Sequence, residues 1–239
     1  MAKRARIERL TEEFAAGEPC DFSHANMTAQ EIDDLNKLIE LVTSALERHG
    51  VRHFMTAGTL LGSIRHGGLI PWDDDFDLGI MEEDMPRVQA AIRDLKAQNV
   101  TTKAFGDFAE LNFWYTDREA THFPFLDAFL YTRDADGNYV LSKPESREAW
   151  PKMWYRPDEL FPLGKRSFGE LDLYAPRQPE KYLERVYGRE WATKYKTGFE
   201  HKYGIWKTPK EGTLTDDTLC YAGGVASKVL PQKEKPAWL

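Results

Sequence analysis

Cysteine is nearly absent: the 239 residues contain two, Cys20 and Cys220, at opposite ends of the chain. Such a pair builds neither a disulfide framework nor a thiolate metal site, so a reducing compartment is expected. No run of 18 apolar residues occurs, so no membrane-spanning helix is expected. Positive charge is also short, with 32 Lys and Arg against 39 Asp and Glu and a formal net charge of −7. A surface that wraps nucleic acid needs a basic field, so nucleic acid is not an expected partner. The opening MAKRARIERL is basic with no apolar core behind it. No secretion signal is read there, and the expected location is cytoplasmic. Ile7, Leu10 and Phe14 can share one helical face, which leaves peripheral contact with a membrane open. A Walker lysine, a Gly-x-Ser-x-Gly elbow and a Cys/His couple are missing too, which excludes a P-loop and nucleophilic catalysis of those types.

What is present suits a packed core: 41% of residues are apolar and 13% aromatic. The whole chain, 1–239, is expected to form a single catalytic domain of α/β (α+β) class. Its parts would be a helical N-terminal part (1–50), a core (51–142) and a helix- and loop-rich C-terminal part (143–239) packed on that core. Thr28 and Glu31 form a capping box. Behind it Ile32, Leu35, Leu38, Ile39, Val42 and Leu46 follow at helical spacing, with Gly50 as the stop. Strands are expected over 51–57, 100–105, 111–116 and 125–132. A further helix is expected over 84–98 with Asp84 as its N-cap. Asp136-Gly137-Asn138 marks a hairpin turn. Beyond 142 only one helix stands out, 179–187, before Gly188.

The run Asp73-Asp74-Asp75-Phe76-Asp77-Leu78-Gly79-Ile80 alternates with period two from Asp75 onward. A cluster of aspartates is most often a solvated turn. Here, however, a strand would put Asp75 and Asp77 on one face and Phe76, Leu78 and Ile80 on the other. The two carboxylates would then stand about 6–7 Å apart in Cα on a rigid support and repel each other. A hard divalent cation compensates such a pair, and Mg²⁺ or Mn²⁺ suits oxygen-only ligation better than zinc. Asp73 shares the parity and would stand behind the pair, whereas Asp74 would face away and cap the turn. Upstream, Gly58, Thr59, Gly62, Ser63 and Arg65 form a glycine-containing turn expected to bring backbone amides to a phosphate, with Arg65 on the same anion. Trp72, after Pro71, is a candidate to stack on a base or a quaternary ammonium, or to act as a lid over the core.

Leu61-Gly62-Ser63, eleven residues, then Asp75-Phe76-Asp77-Leu78 resembles the signature of the DNA-polymerase-β-like nucleotidyltransferase fold. More narrowly, GTLLGSIRHGGLIPWDDDFDLGI resembles the core of the LicD family, which includes bacterial phosphorylcholine transferases and the fukutin-related proteins. The resemblance implies a mixed sheet with flanking helices. It also implies a third carboxylate from a neighbouring strand, at the position of Asp127. That residue interrupts an apolar run from Phe123 to Tyr131, where an uncompensated charge is expensive. Asp75, Asp77 and Asp127 would bind two ions, Mg²⁺ or Mn²⁺, with Asp127 placed to take the acceptor's proton. The implied partners are a CDP-alcohol donor and a glycan acceptor, lipid-linked in some settings. The cysteine-rich zinc site of the animal fukutin-related members has no counterpart here. The alternatives are a nucleotidyltransferase releasing pyrophosphate, a glycosyltransferase using Asp-x-Asp, and a non-catalytic glycan- or nucleotide-binding protein.

Overall fold

Thr28 caps the first helix as its capping box requires. Its hydroxyl accepts the Glu31 amide at 3.3 Å, and the Glu31 carboxylate accepts the Thr28 amide at 2.8 Å. Helix α1 (Ala29–Arg48) then buries Ile32, Leu35, Leu38, Ile39, Val42 and Leu46. The structure, a computed structural model, describes residues 27–104, 110–197, 199–203, 205–206 and 211–214. Ile7, Leu10, Phe14, Cys20 and Cys220 lie outside those residues. After α1 come β1 (His53–Met55), α2 (Ala57–His66), β2 (Asp77–Met81), α3 (Met85–Lys96), β3 (Val100–Ala104), β4 (Glu110–Tyr115), β5 (Phe125–Arg133) and β6 (Tyr139–Leu141). The strands lie in the order β1-β2-β5-β4-β3, with β6 beside β5. Among the described strands only the central β2–β5 pair is parallel; its neighbours are antiparallel, so the fold is mixed α/β. Helices α1 and α3 pack on each other, while α2 packs against β2.

Two local readings change. The glycine-containing turn is helical throughout: Gly62 and Ser63 sit inside α2, which begins at Ala57. A Cβ on residue 62 would stand 2.5 Å from the Gly68 carbonyl oxygen. Gly62 therefore lets the Gly67-Gly68 turn fold back onto the helix. Asp84, expected to cap α3 with its side chain, makes no such bond. Its buried carboxylate accepts the Arg52 amide at 3.1 Å and Nε at 3.0 Å, and it pairs with Arg87.

The C-terminal part holds more strand than expected. After α4 (Pro144–Ala149), β7 (Trp154–Tyr155) pairs with β6 and becomes the seventh strand of the main sheet. Next come α5 (Pro157–Leu160), a hairpin of β8 (Gly164–Phe168) and β9 (Leu171–Ala175), and α6 (Pro179–Tyr187). Finally β10 (Lys194–Lys196) pairs with β13 (Glu211–Thr213), and β11 (Phe199–Glu200) with β12 (Ile205–Trp206). Residues 164–167 of β8 are all exposed, so the strand carries no apolar alternation by which to announce itself. One apolar cluster runs from Met27 to Ala192. Among the described residues no helix is long and apolar enough to cross a membrane.

Gly62→Ala is expected to cost about 1–3 kcal/mol, because the new methyl meets backbone that cannot turn aside. Urea denaturation measures this, and a variant as stable as wild type would remove Gly62 from that contact.

Candidate functional site

The parallel register of β2 and β5 sets Asp77 opposite Asp127. The Asp127 amide donates to the Phe76 carbonyl at 2.8 Å, extending the ladder one residue before β2 begins. Asp75 thus stands just ahead of the strand, not within it. A carboxylate oxygen from each of Asp75, Asp77 and Asp127 nevertheless lies within 4.8 Å of the others. Asp75 is 5% exposed and Asp77 7%, while Asp127 is half-buried.

The first turn of α2 holds Asp77 in place. Gly58 N–H donates to Asp77 Oδ2 at 2.9 Å and Thr59 N–H reaches the same oxygen at 3.4 Å. In return Thr59 Oγ1 accepts the Asp77 amide at 2.7 Å. A Cβ on residue 58 would stand 2.8 Å from an Asp73 carboxylate oxygen and 3.3 Å from one of Asp77, so glycine is what lets the helix start this close. On the other side Asn112, the register partner of Asp127 on β4, donates Nδ2 to Asp127 Oδ1.

A cavity of about 1460 Å³ opens over these carboxylates. Of the residues singled out from sequence, Gly58, Arg65, Trp72, Asp73, Asp75, Asp77 and Asp127 line it. Thr59, Gly62 and Ser63 do not. Ser63 Oγ donates instead to the Ser167 carbonyl at 2.8 Å and ties α2 to β8. Arg65 is 7% exposed, and its Nη1 donates to the carbonyls of Trp191 and Lys194 at 3.0 and 3.1 Å. Burial pulls its pKa down to about 10, which leaves it charged at neutral pH. Trp72 packs against Tyr195 at 5.0 Å and edge-on to His66 at 5.5 Å.

Three residues of the site carried no usable local signal in the sequence. Asp74 does not cap a turn: it is fully buried and accepts the amides of His201 and Lys202 at 3.2 and 2.9 Å. His201 places Nδ1 2.8 Å from Asp74 and Nε2 3.4 Å from Asp75. It arrives from 126 positions beyond Asp75, and no local pattern marks it. Asn112 would have been identifiable only once the β4–β5 register was known.

The crowding is visible in the acidities. Burial, then the charges of Asp77, Asp73, Asp127 and Asp74, hold Asp75 well above the usual carboxylate range. Burial, with Asp73 and Asp127 nearby, pushes Asp77 up to about 8 in spite of His201 and the Thr59 amide. Burial raises Asp127 to about 6, partly offset by Asn112 and His201. Burial opposes a charge on His201, yet the bond to Asp74 and the fields of Asp74, Asp73 and Asp77 prevail and raise its pKa. Three converging carboxylate oxygens are a group that could hold a metal ion, and Asp75, Asp77 and Asp127 are the residues that would do so.

A carboxylate whose pKa is raised by folding adds stability in full below its unfolded value and loses it as pH rises through the folded one. For Asp77 that window runs from 3.8 to about 8. The metal-free chain is expected to lose thermal stability across it. Mn²⁺ or Mg²⁺ should restore that stability, with an increment that grows with pH because fewer protons must be displaced. Thermal midpoints at about pH 5 and about pH 8 test this. An increment that is flat with pH, or larger in acid, would count against the carboxylates as ligands.

Residues 50–178, just over half the chain, match the LicD/FKTN/FKRP nucleotidyltransferase domain. An uncharacterized protein of Rickettsia prowazekii is 29% identical over 160 residues, covering 66% of this chain and 54% of its own length. Human ribitol 5-phosphate transferase FKRP is 30% identical over 163 residues, 64% of this chain and 31% of its own. The lipopolysaccharide cholinephosphotransferase LicD of Haemophilus influenzae is 28% identical over 106 residues, 39% of this chain and 40% of its own. The chain thus spans about half the length, or less, of the curated relatives it matches. The matched span contains Asp75, Asp77 and Asp127 and the strands that bring them together, and the chain belongs to the LicD/FKTN/FKRP family.

Proposed function

We propose that this chain transfers a phospho-alcohol group, of phosphocholine, glycerol-phosphate or ribitol-phosphate type, from a CDP-activated donor to a sugar hydroxyl of a glycan. The observation that carries the reading is the convergence of Asp75, Asp77 and Asp127 in one buried pocket. Two family relatives bearing the names of a ribitol phosphate transferase and a cholinephosphotransferase support it. So does the cavity, whose 1460 Å³ or so exceeds the ~300–1,000 Å³ of a single-ligand pocket and leaves room for donor and acceptor together.

One or two Mg²⁺ or Mn²⁺ ions held by Asp75, Asp77 and Asp127 would supply Lewis acidity toward phosphate oxygens. The chain's own groups do the rest. Gly58 and Thr59 occupy Asp77 Oδ2, which keeps that carboxylate in a single orientation. Asn112 does the same for Asp127 through Oδ1 and leaves Oδ2 to act. Asp127, which lines the cavity, is the carboxylate placed to take the acceptor proton. The acceptor oxygen then bonds to the phosphorus that carries the alcohol, the bond from that phosphorus to the CMP oxygen breaks, and the hydroxyl proton passes to Asp127. Arg65 presents a cation to the donor phosphates from the cavity wall. Trp72 and Tyr195 offer an aromatic surface to a base or a cationic head group.

Incubation with Mg²⁺ or Mn²⁺, a panel of CDP-alcohols and NTPs, and glycan acceptors tests the reading through the nucleotide released. CMP from a CDP-alcohol is the expected product. Pyrophosphate from an NTP would make the chain a nucleotidyltransferase, and no turnover with any pair would leave a binding protein. Asp75→Ala and Asp77→Ala are each expected to lower turnover on the order of 10³-fold or more in a folded chain. Near-normal activity in either would remove that residue from the metal site.

A further inference from the structure

Next to Asp77, and not lining the cavity, lies a buried cluster of hydroxyls that the chemistry does not use. Thr56 precedes α2 but makes no side-chain bond to that helix. Instead its Oγ1 lies 2.9 Å from the Tyr155 hydroxyl, 3.2 Å from that of Tyr131 and 3.2 Å from that of Tyr182. All four residues are at most 1% exposed, and the Tyr155 and Tyr182 rings stack at 4.3 Å. Valence fixes the direction of each bond. Thr56 has one proton and donates it to Tyr182, so Tyr155 and Tyr131 must donate into its two lone pairs. The Tyr182 oxygen also accepts the Ala57 amide at 3.4 Å.

Ala57 is where this matters. Its φ is 41°, in the left-handed region that an L residue enters only under constraint. The two amides that follow it, of Gly58 and Thr59, are those aimed at Asp77 Oδ2. A relaxed Ala57 would start α2 in another direction and turn both donors away.

We propose that Tyr182, acting through Thr56 with Tyr131 and Tyr155, is a positioning residue for the metal site: it holds Ala57 left-handed so that α2 presents its first two amides to Asp77. The tyrosines come from β5, β7 and α6, so the latch forms only when the core and the C-terminal part are packed together. The proposal rests on the metal role assigned to Asp77 above.

Tyr182→Phe removes the acceptor of the Ala57 amide and leaves the ring. Two readouts are used, neither of them turnover. In metal-free protein, hydrogen exchange of the Gly58 and Thr59 amides should quicken about tenfold while α1 is unchanged. Mn²⁺ affinity by calorimetry should fall about tenfold. Adding Ala57→Gly, which makes the left-handed conformation inexpensive, should recover most of that affinity. Thr56→Val, which keeps the volume and removes the hydroxyl, should behave like Tyr182→Phe, whereas Thr56→Ser should behave like wild type. The proposal falls if exchange at Gly58 and Thr59 is unchanged in both Tyr182→Phe and Thr56→Val, or if stability drops while Mn²⁺ affinity holds. A wild-type chain that binds no Mn²⁺ would defeat the functional reading instead, and exchange would then decide the latch alone.

Discussion

The parallel pairing of β2 with β5 is the constraint on which the rest of the site depends. It brings Asp77 opposite Asp127, fifty positions later in the chain, and Asp75 enters the same pocket from two residues ahead of the strand. Shifting a strand by one residue turns every side chain to the opposite face. The register that buries Leu78 and Ile80 is thus the register that faces the carboxylates to one another. One register serves both the apolar burial and the meeting of the carboxylates.

That cluster opposes folding, and much of the surrounding structure offsets it. The amides of Gly58 and Thr59 stabilise Asp77, Asn112 holds Asp127, and His201 stands between Asp74 and Asp75. None of these brings the acidities back to ordinary values: Asp77 still titrates near 8. A site left short of positive charge in this way is poised to bind it, and local instability at a functional centre is the usual consequence. The left-handed Ala57 fits the same pattern, since a strained residue persists only where its surroundings over-determine it.

The C-terminal part completes the site. Tyr182 reaches the start of α2, the carbonyls of Trp191 and Lys194 receive Arg65, and the amides of His201 and Lys202 close on Asp74. All of these C-terminal residues lie beyond the span matched by the family, 50–178. The carboxylates therefore lie within the shared domain, while much of the cavity wall is built by residues C-terminal to it.

The alternation around Asp75, Phe76 and Asp77, the capping box of α1 and the apolar setting of Asp127 were all readable from local spacing, because period and burial are properties of a few adjacent residues. The resemblance to LicD proteins lay in the same short stretch. Local spacing misjudged Gly62 and Ser63, whose role is set by Gly68 and Ser167, and Asp74, whose partners are more than a hundred residues away. It could not find β8, which exposes four of its five residues, or His201, which no pattern marks. Sequence by itself determined which residues carry charge, which segments alternate and where helices start. Which of those charges meet, which amides face them and which tyrosines hold the backbone strained were decided by strand register and by packing of the C-terminal part, because both depend on contacts between residues that are distant in the chain.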